Sequence, residues 1–297
     1  MFPNSTHKFT TKILALAFIL SACALPTGPA ADTPTPAFTS TPSLPTATPV
    51  PGIATVNGEI IPLADYEAEL ARYKSAQTAL GLSFTDEDAA QAVLDDMIAQ
   101  TLLAQGARAA GLSITESDLQ SRVDALAQSL GGADQLSAWM SAHGYTEESF
   151  RASLRLAAEA AMMRDRIIAD MPSTVEQVHA RQILLYNADE ANAVLAQLQS
   201  GATFENLAAF YDPITRGELG WFPRGYLLEP AIEEAAFALQ PGGYSGVIQT
   251  QVGFHIIFVI ERAERSLSPD AALTLQEKAV RDWLTAKRAE AQIVLSQ

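Results

Sequence analysis

The stretches VHARQILLY (residues 178–186) and FHIIFVIE (residues 254–261) decide the fold of this chain. Both are rich in β-branched and aromatic residues, which favour strands. Between them the pattern predicts helices at 189–199, 204–211 and 230–239, a strand at 220–222 and a short extended segment at 246–249. This βααβαββ order predicts an α+β domain with an antiparallel sheet at residues 173–265.

Residues 53–172 precede this domain and carry a helical pattern behind a short hairpin. Asn57-Gly58 supplies a positive-φ turn between two apolar runs. Thr85, Thr115 and Thr146 each occupy an N-cap position, with Asp or Ser three residues later. The second helix carries apolar residues at a 3.6-residue spacing: Leu94, Met97, Ile98 and Leu102. We therefore predict a separate helical domain.

Residues 266–297 predict one long helix, from 269 to about 294. Its apolar side chains include Leu273, Val280, Trp283 and Leu284. A helix with such an apolar stripe does not stand alone in water. We expect it to pack against another part of the chain.

The first 52 residues belong to neither domain. Lys8 and Lys12 precede the apolar run 13–20, and a basic start before a short apolar stretch predicts an export signal at 1–22. Cys23 follows Leu-Ser-Ala and resembles the lipobox of bacterial lipoproteins, which implies acylation of its thiol; the alternative is a plain secretory signal. Residues 23–52 are rich in Pro, Thr, Ala and Ser, which predicts an extended linker.

Charge and composition exclude several functions. The formal net charge of −15 argues against nucleic acid as a partner. A single cysteine permits neither an internal disulfide nor a thiolate metal cluster. The chain lacks Gly-x-Ser-x-Gly, His-Glu-x-x-His and phosphate-loop motifs, so we predict no hydrolase, no cofactor and no metal site.

Five strings carry a family resemblance, in the family's order and spacing: ARQIL (180–184), GATF (201–204), GELGWF (217–222), EAAFAL (234–239) and GFHII (253–257). Residues 178–262 thereby resemble a parvulin, a peptidyl-prolyl cis/trans isomerase domain. Residues 53–171 resemble the helical chaperone region of SurA- and PrsA-type foldases. The resemblance implies that the carboxy-terminal helix folds back onto that helical region.

The resemblance also assigns a site. It implies an apolar socket for a proline ring at Leu219, Phe222, Leu228 and Ile232, although an extra residue within 225–228 leaves the register of Leu228 open by one position. Beside the socket it implies a polar group with His255, Asp212 and Thr250, and Gln182 in place of the family's first histidine. Taken without the resemblance, the four apolar residues are more typical of an ordinary core, and His255 is more typical of a structural hydrogen bond.

Glutamine still donates and accepts hydrogen bonds, so Gln182 preserves a network but removes a titratable ring. His179 does not replace the missing histidine, because three residues along a strand place it on the opposite face. Arg216 and Arg224 are candidates for contacts with a client, or solvated surface residues.

Two functions follow as hypotheses. The first is a lipid-anchored, extracytoplasmic isomerase and foldase that acts on X-Pro segments of unfolded or partly folded exported proteins. The alternative is a catalytically degenerate chaperone that holds such clients without isomerising them. A scaffold role would require a docking patch, which the sequence does not show.

Overall fold

The computed structural model describes residues 50–296, so the predicted signal, Cys23 and the linker up to residue 49 lie outside the described residues. The described chain opens with a hairpin of β1 (Gly52–Val56) and β2 (Glu59–Pro62). Asn57 and Gly58 have φ of 52° and 83°, the conformation of a two-residue hairpin turn. This turn confirms the prediction from Asn-Gly.

Five helices follow the hairpin: α1 (Leu63–Ala79), α2 (Asp86–Ala109), α3 (Glu116–Leu130), α4 (Ala133–Ala142) and α5 (Glu147–Ala169). The hydroxyl oxygens of Thr85, Thr115 and Thr146 accept the amide N–H three residues later, as the capping patterns predict. Helices α2 and α5 pack together, and the carboxylate of Glu159, only 2% exposed, is paired with Arg108 at 3.0 Å.

The second half contains β3 (Thr174–Leu185), α6 (Ala188–Gln199), α7 (Phe204–Tyr211), β4 (Glu218–Pro223), α8 (Pro230–Ala238), β5 (Ile248–Gln249) and β6 (Phe254–Ser266). The strands form an antiparallel sheet in the order β4-β3-β6-β5. Strands β3 and β6 are longer than predicted and pair from Leu185↔Phe254 to Thr174↔Ser266. Their outer part carries polar residues such as Glu176 and Glu264, so apolar patterning did not reveal it.

The sheet has two covered faces. On one face α8 covers a cluster that contains Val178, Phe222, Phe237, Ile257 and Val259. On the other face Val194 of α6 and Phe204 of α7 pack against Ile183, Leu185 and Ile256 of the sheet. The alternation of side chains along β3 and β6 explains this division, because successive residues of a strand face opposite sides.

The chain ends with α9 (Pro269–Glu290) and β7 (Ile293–Leu295). Helix α9 packs against α2 and α5 of the helical part, and the combined architecture confirms the predicted α+β class. The prediction that the helix reaches residue 294 is wrong. Residues 293–295 instead pair antiparallel with β1, because β1 offers an open edge and Asn57 binds the backbone of Gln292.

Within residues 50–296 no helix is long and apolar enough to cross a bilayer.

Candidate active site

The site is organised around the imidazole of His255, which lies on β6 and is 3% exposed. Its Nδ1 lies 2.9 Å from Gln182 Oε1, and its Nε2 lies 2.9 Å from Thr250 Oγ1. An amide oxygen only accepts, so Nδ1 carries the proton and Nε2 accepts the hydroxyl hydrogen of Thr250. The structure thus brings three of the four predicted polar residues into one hydrogen-bonded row.

Local backbone geometry holds Thr250 in place. Its Oγ1 accepts the backbone N–H of Val252 at 3.1 Å and of Gly253 at 3.4 Å. A Cβ on Gly253 would lie 2.5 Å from the carbonyl oxygen of Leu185, so this close approach requires glycine. The tight loop therefore fixes the hydroxyl against the imidazole.

Burial lowers the pKa of His255 below its ordinary value, because removal from water disfavours the imidazolium ion; the negative charge of Glu229 partly opposes this shift. The ring is therefore neutral at neutral pH. It serves as a hydrogen-bonding group rather than as a cation.

Three of the four predicted socket residues lie in the apolar cluster under α8, on the same face of the sheet as His255. Phe222 is fully buried and Ile232 is 6% exposed, while Leu219 is half-buried and packs against the same cluster. Phe222 and Ile232 thus lie beneath the surface. The apolar surface that remains accessible in this cluster comes from its half-buried members, including Leu219, Leu227 and Ile248.

The structure corrects the placement of Leu228, which is 98% exposed and outside the cluster, whereas Leu227 packs against it. The cause is Glu233, in the first turn of α8. Its carboxylate accepts the backbone N–H groups of Gly225, Tyr226 and Leu227 and so fixes the loop with Leu227 inward. Sequence reasoning missed this role of Glu233; an acid in the first turn of a helix, six to eight residues after a glycine-containing loop, was the available signal.

Asp212, which the resemblance assigns as the acid of this group, forms no hydrogen bond with His255. Its carboxylate accepts the backbone N–H groups of Ile214, Thr215 and Gly217 and the hydroxyl of Thr215. These bonds hold the pKa of Asp212 at about 2. The short loop folds back onto its own first residue, and Asp212 shares only a cavity of about 330 Å³ with Gln182.

The remaining polar candidates lie elsewhere. His179 binds the carboxylate of Glu218 and stacks on Trp221 with ring centroids 5.3 Å apart, so it faces away from His255 as predicted. The guanidinium of Arg224 lies 4.2 Å from the ring centroid of Phe237, where it covers the apolar cluster. Within residues 50–296, no group of three or more His, Cys, Asp or Glu residues is placed to hold a metal ion.

A four-stranded antiparallel sheet with a His–Thr–amide row beside an apolar cluster defines a parvulin-type isomerase domain. The model of the PPIC-type PPIase domain matches residues 180–261. The model of the SurA-like N-terminal domain matches residues 4–164, more than half of the chain. The chain belongs to the family with a SurA-like N-terminal domain, and its second half is a domain of the peptidyl-prolyl cis/trans isomerase class.

Two curated relatives carry corresponding names. The chain is 28% identical over 241 residues to a protein named foldase PrsA from Caldanaerobacter subterraneus, a match that covers 69% of this chain and 72% of that protein. It is 33% identical over 129 residues to a protein named chaperone SurA from Nitrosospira multiformis, which covers 39% of this chain but 28% of the relative. A crystal structure of peptidylprolyl isomerase PrsA from Bacillus anthracis aligns with a TM-score of 0.41 and 23% identity, over 66% of this chain and 96% of that one.

Proposed function

We propose that this protein accelerates cis/trans isomerisation of X-Pro bonds in unfolded or partly folded exported proteins. One observation carries the proposal: a buried, neutral His255 orients the side-chain amide of Gln182 at the edge of an apolar surface. The family membership supports the same activity class.

The chemistry needs neither a nucleophile nor a cofactor. Rotation about an X-Pro bond crosses a barrier of about 18–20 kcal/mol because the amide loses its resonance in the twisted state. Stabilisation of that state by about 4 kcal/mol gives roughly a thousandfold acceleration. An apolar surface holds the proline ring, and a polar group binds the twisted amide more tightly than the planar one. This difference in binding between the two states lowers the barrier.

Gln182 is the residue that would contact the twisted amide. Its Oε1 is occupied by His255 Nδ1, while its Nε2 has no hydrogen-bond partner among residues 50–296. When the amide twists, the prolyl nitrogen regains a lone pair and accepts a hydrogen bond. The N–H of Gln182 donates to that nitrogen or to the preceding carbonyl oxygen, and His255 and Thr250 act as positioning residues. Asp212 has no direct part in this mechanism.

A chaperone without isomerase activity is the second candidate. The full burial of Phe222 favours it, because a proline ring then meets only a shallow apolar surface instead of a deep pocket. Exposed apolar side chains such as Tyr186, Phe210 and Ile214, between 76% and 91% exposed, offer additional contacts for an unfolded client.

A prolyl-limited refolding assay separates the two candidates. We expect the protein to accelerate refolding and Gln182→Ala to remove most of the acceleration, whereas His143→Ala, an exposed histidine in the helical part, leaves it unchanged. Equal refolding rates with and without protein, together with suppressed aggregation, would leave only the chaperone.

We further propose that the protein acts outside the cytoplasmic membrane, anchored through acylated Cys23 and extended on the linker 23–52. More than one acyl chain makes such anchoring stable. Metabolic labelling with palmitate tests this proposal: we expect label in the wild-type chain and none in Cys23→Ser. Unlabelled wild-type protein would contradict it.

A further inference from the structure

One edge of β3 is unpaired at its carboxy-terminal end, beside the candidate active site. Strand β4 pairs with β3 only from Gln177↔Pro223 to Arg181↔Glu218. The final bond on that edge joins Gln182 N–H to the carbonyl oxygen of Gly217 at 2.8 Å. Beyond it, β3 continues to Leu185 and has a partner strand on the β6 side only.

The alternation of an antiparallel ladder shows which backbone groups face the open edge. Because the N–H of Gln182 points away from β6, the N–H and C=O of Leu184 point the same way, two residues further on. Ile183 and Leu185 direct theirs to Ile256 and Phe254 of β6. Within residues 50–296 no strand is paired with Leu184 on its outer side.

The open edge borders the cavity of about 330 Å³, which is lined by Gln182, Leu184, Tyr186, Tyr211, Asp212 and Ile214 among others. Two of these lining residues, Tyr186 and Ile214, are 78% and 91% exposed. The carboxylate of Asp212 accepts hydrogen bonds from Ile214, Thr215 and Gly217 of its own loop but forms no ion pair with a side chain of residues 50–296, and its low pKa keeps it charged. The cavity therefore combines unpaired backbone groups, aromatic and aliphatic walls and one carboxylate without a cationic partner.

We propose that this edge binds an extended client segment by strand addition at residues 184–186, with a lysine or arginine of the client facing Asp212. Strand addition gives affinity through backbone hydrogen bonds and selectivity through the side chain that enters the pocket. A cationic side chain would supply the ion pair that the carboxylate of Asp212 lacks. The segment is non-prolyl at the paired position, because proline has no N–H to donate to the carbonyl oxygen of Leu184.

The link to isomerisation rests on the proposed function. Gln182 both lines the cavity and orients toward the imidazole, and Leu184 lies roughly 7 Å further along the strand at ~3.3 Å per residue. A client of about six residues therefore reaches both places. The substrate class becomes an X-Pro bond with an extended, basic flank.

Three peptides test the inference on the full-length chain: an X-Pro decapeptide with a lysine-containing flank, the same peptide N-methylated at one flank amide, and a version with glutamate for lysine. We expect N-methylation at the pairing amide to weaken binding about fivefold, as loss of one backbone hydrogen bond of ~1 kcal/mol implies. Glutamate should weaken binding as well. The parent peptide should slow hydrogen exchange at the Leu184 amide.

Protein variants provide the matched control without touching the proposed catalytic group. Tyr186→Pro removes an N–H at the end of the open edge, whereas Tyr186→Ala removes only the side chain, so the difference between them isolates the backbone contribution. Unchanged affinity of the methylated peptide, with unchanged exchange at Leu184, would overturn the inference. If a short X-Pro tetrapeptide is still isomerised in that case, the proposed isomerase function stands without the edge site. Slowed hydrogen exchange at the Leu184 amide without isomerisation would support the edge site and contradict the isomerase function.

Discussion

Substitution of Gly106 by alanine tests how α9 is held against the helical part. Gly106 lies within α2, and a Cβ at this position would lie 2.6 Å from two ring carbons of Trp283 on α9. Ordinary contacts begin near 3.4 Å, and the side chain of Met163 at 3.5 Å adds a second neighbour. The ring must therefore move by about 0.8 Å, or the two helices must separate.

Two effects of opposite sign compete in this variant. Alanine is favoured over glycine in a helix interior by about 1 kcal/mol. Overpacking of a close contact costs about 1–3 kcal/mol. With a cost near the middle of that range, we expect the free energy of unfolding to fall by about 1 kcal/mol, which corresponds to a Tm lower by about 2–4 °C for a chain of this size.

Urea denaturation of the single and double variants measures the balance. In the background of Trp283→Leu the obstruction is removed, so Gly106→Ala should there raise the free energy of unfolding by about 1 kcal/mol. The sign of the effect therefore reverses between the two backgrounds, and the double-mutant cycle isolates the contact. An alanine that stabilises the wild-type background by its full helix propensity would refute the close packing of Trp283 on α2.

Three further predictions concern the charged and titratable groups. The folded-state pKa of His255 lies below its unfolded value, so the unfolded chain binds more protons and the free energy of unfolding should fall as pH drops below about 6.5. Denaturation of wild type and His255→Gln at pH 5 and 7.5 measures this effect. An identical pH dependence of the two proteins would contradict it. Glu233→Gln replaces a charged acceptor of three backbone N–H groups with a neutral one. We expect the free energy of unfolding to fall by about 1 kcal/mol and hydrogen exchange at the Gly225 amide to become faster. Glu234→Gln is the exposed control. Arg108→Leu leaves the carboxylate of Glu159 buried without its partner and should destabilise the chain by about 3 kcal/mol in urea, whereas a change below 0.5 kcal/mol would show that the pair is unimportant.

The sequence predicted those elements whose patterns are local. The Asn57-Gly58 turn and the Thr85 cap depend on neighbouring residues, and the structure contains both. Strand β7 depends on a partner more than 230 residues away, so residues 293–295 appeared to continue the preceding helix. Helical periodicity does not report whether a distant strand has a free edge.

The candidate site shows the same division. The row of Gln182, Thr250 and His255 could be predicted because the resemblance fixed their positions along strands and a tight loop. The orientations of Leu228 and Asp212 could not. Each depends on hydrogen bonds to the backbone of an irregular loop, accepted by Glu233 of α8 in the first case and by Asp212 itself in the second. An added residue in such a loop changes which side chain faces inward without changing the apolar pattern.

The pairing of Thr174 with Ser266 places the two ends of the sheet-containing half side by side. Facing residues of antiparallel strands lie only about 4.5–5.5 Å apart at Cα. The whole segment from 174 to 266 is thus an insertion whose entry and exit nearly coincide. Elements before it (β1, α2 and α5) pack with elements after it (α9 and β7). Because its ends lie side by side, the segment 174–266 can be replaced by another domain, or by a short turn, without altering the path of the surrounding chain.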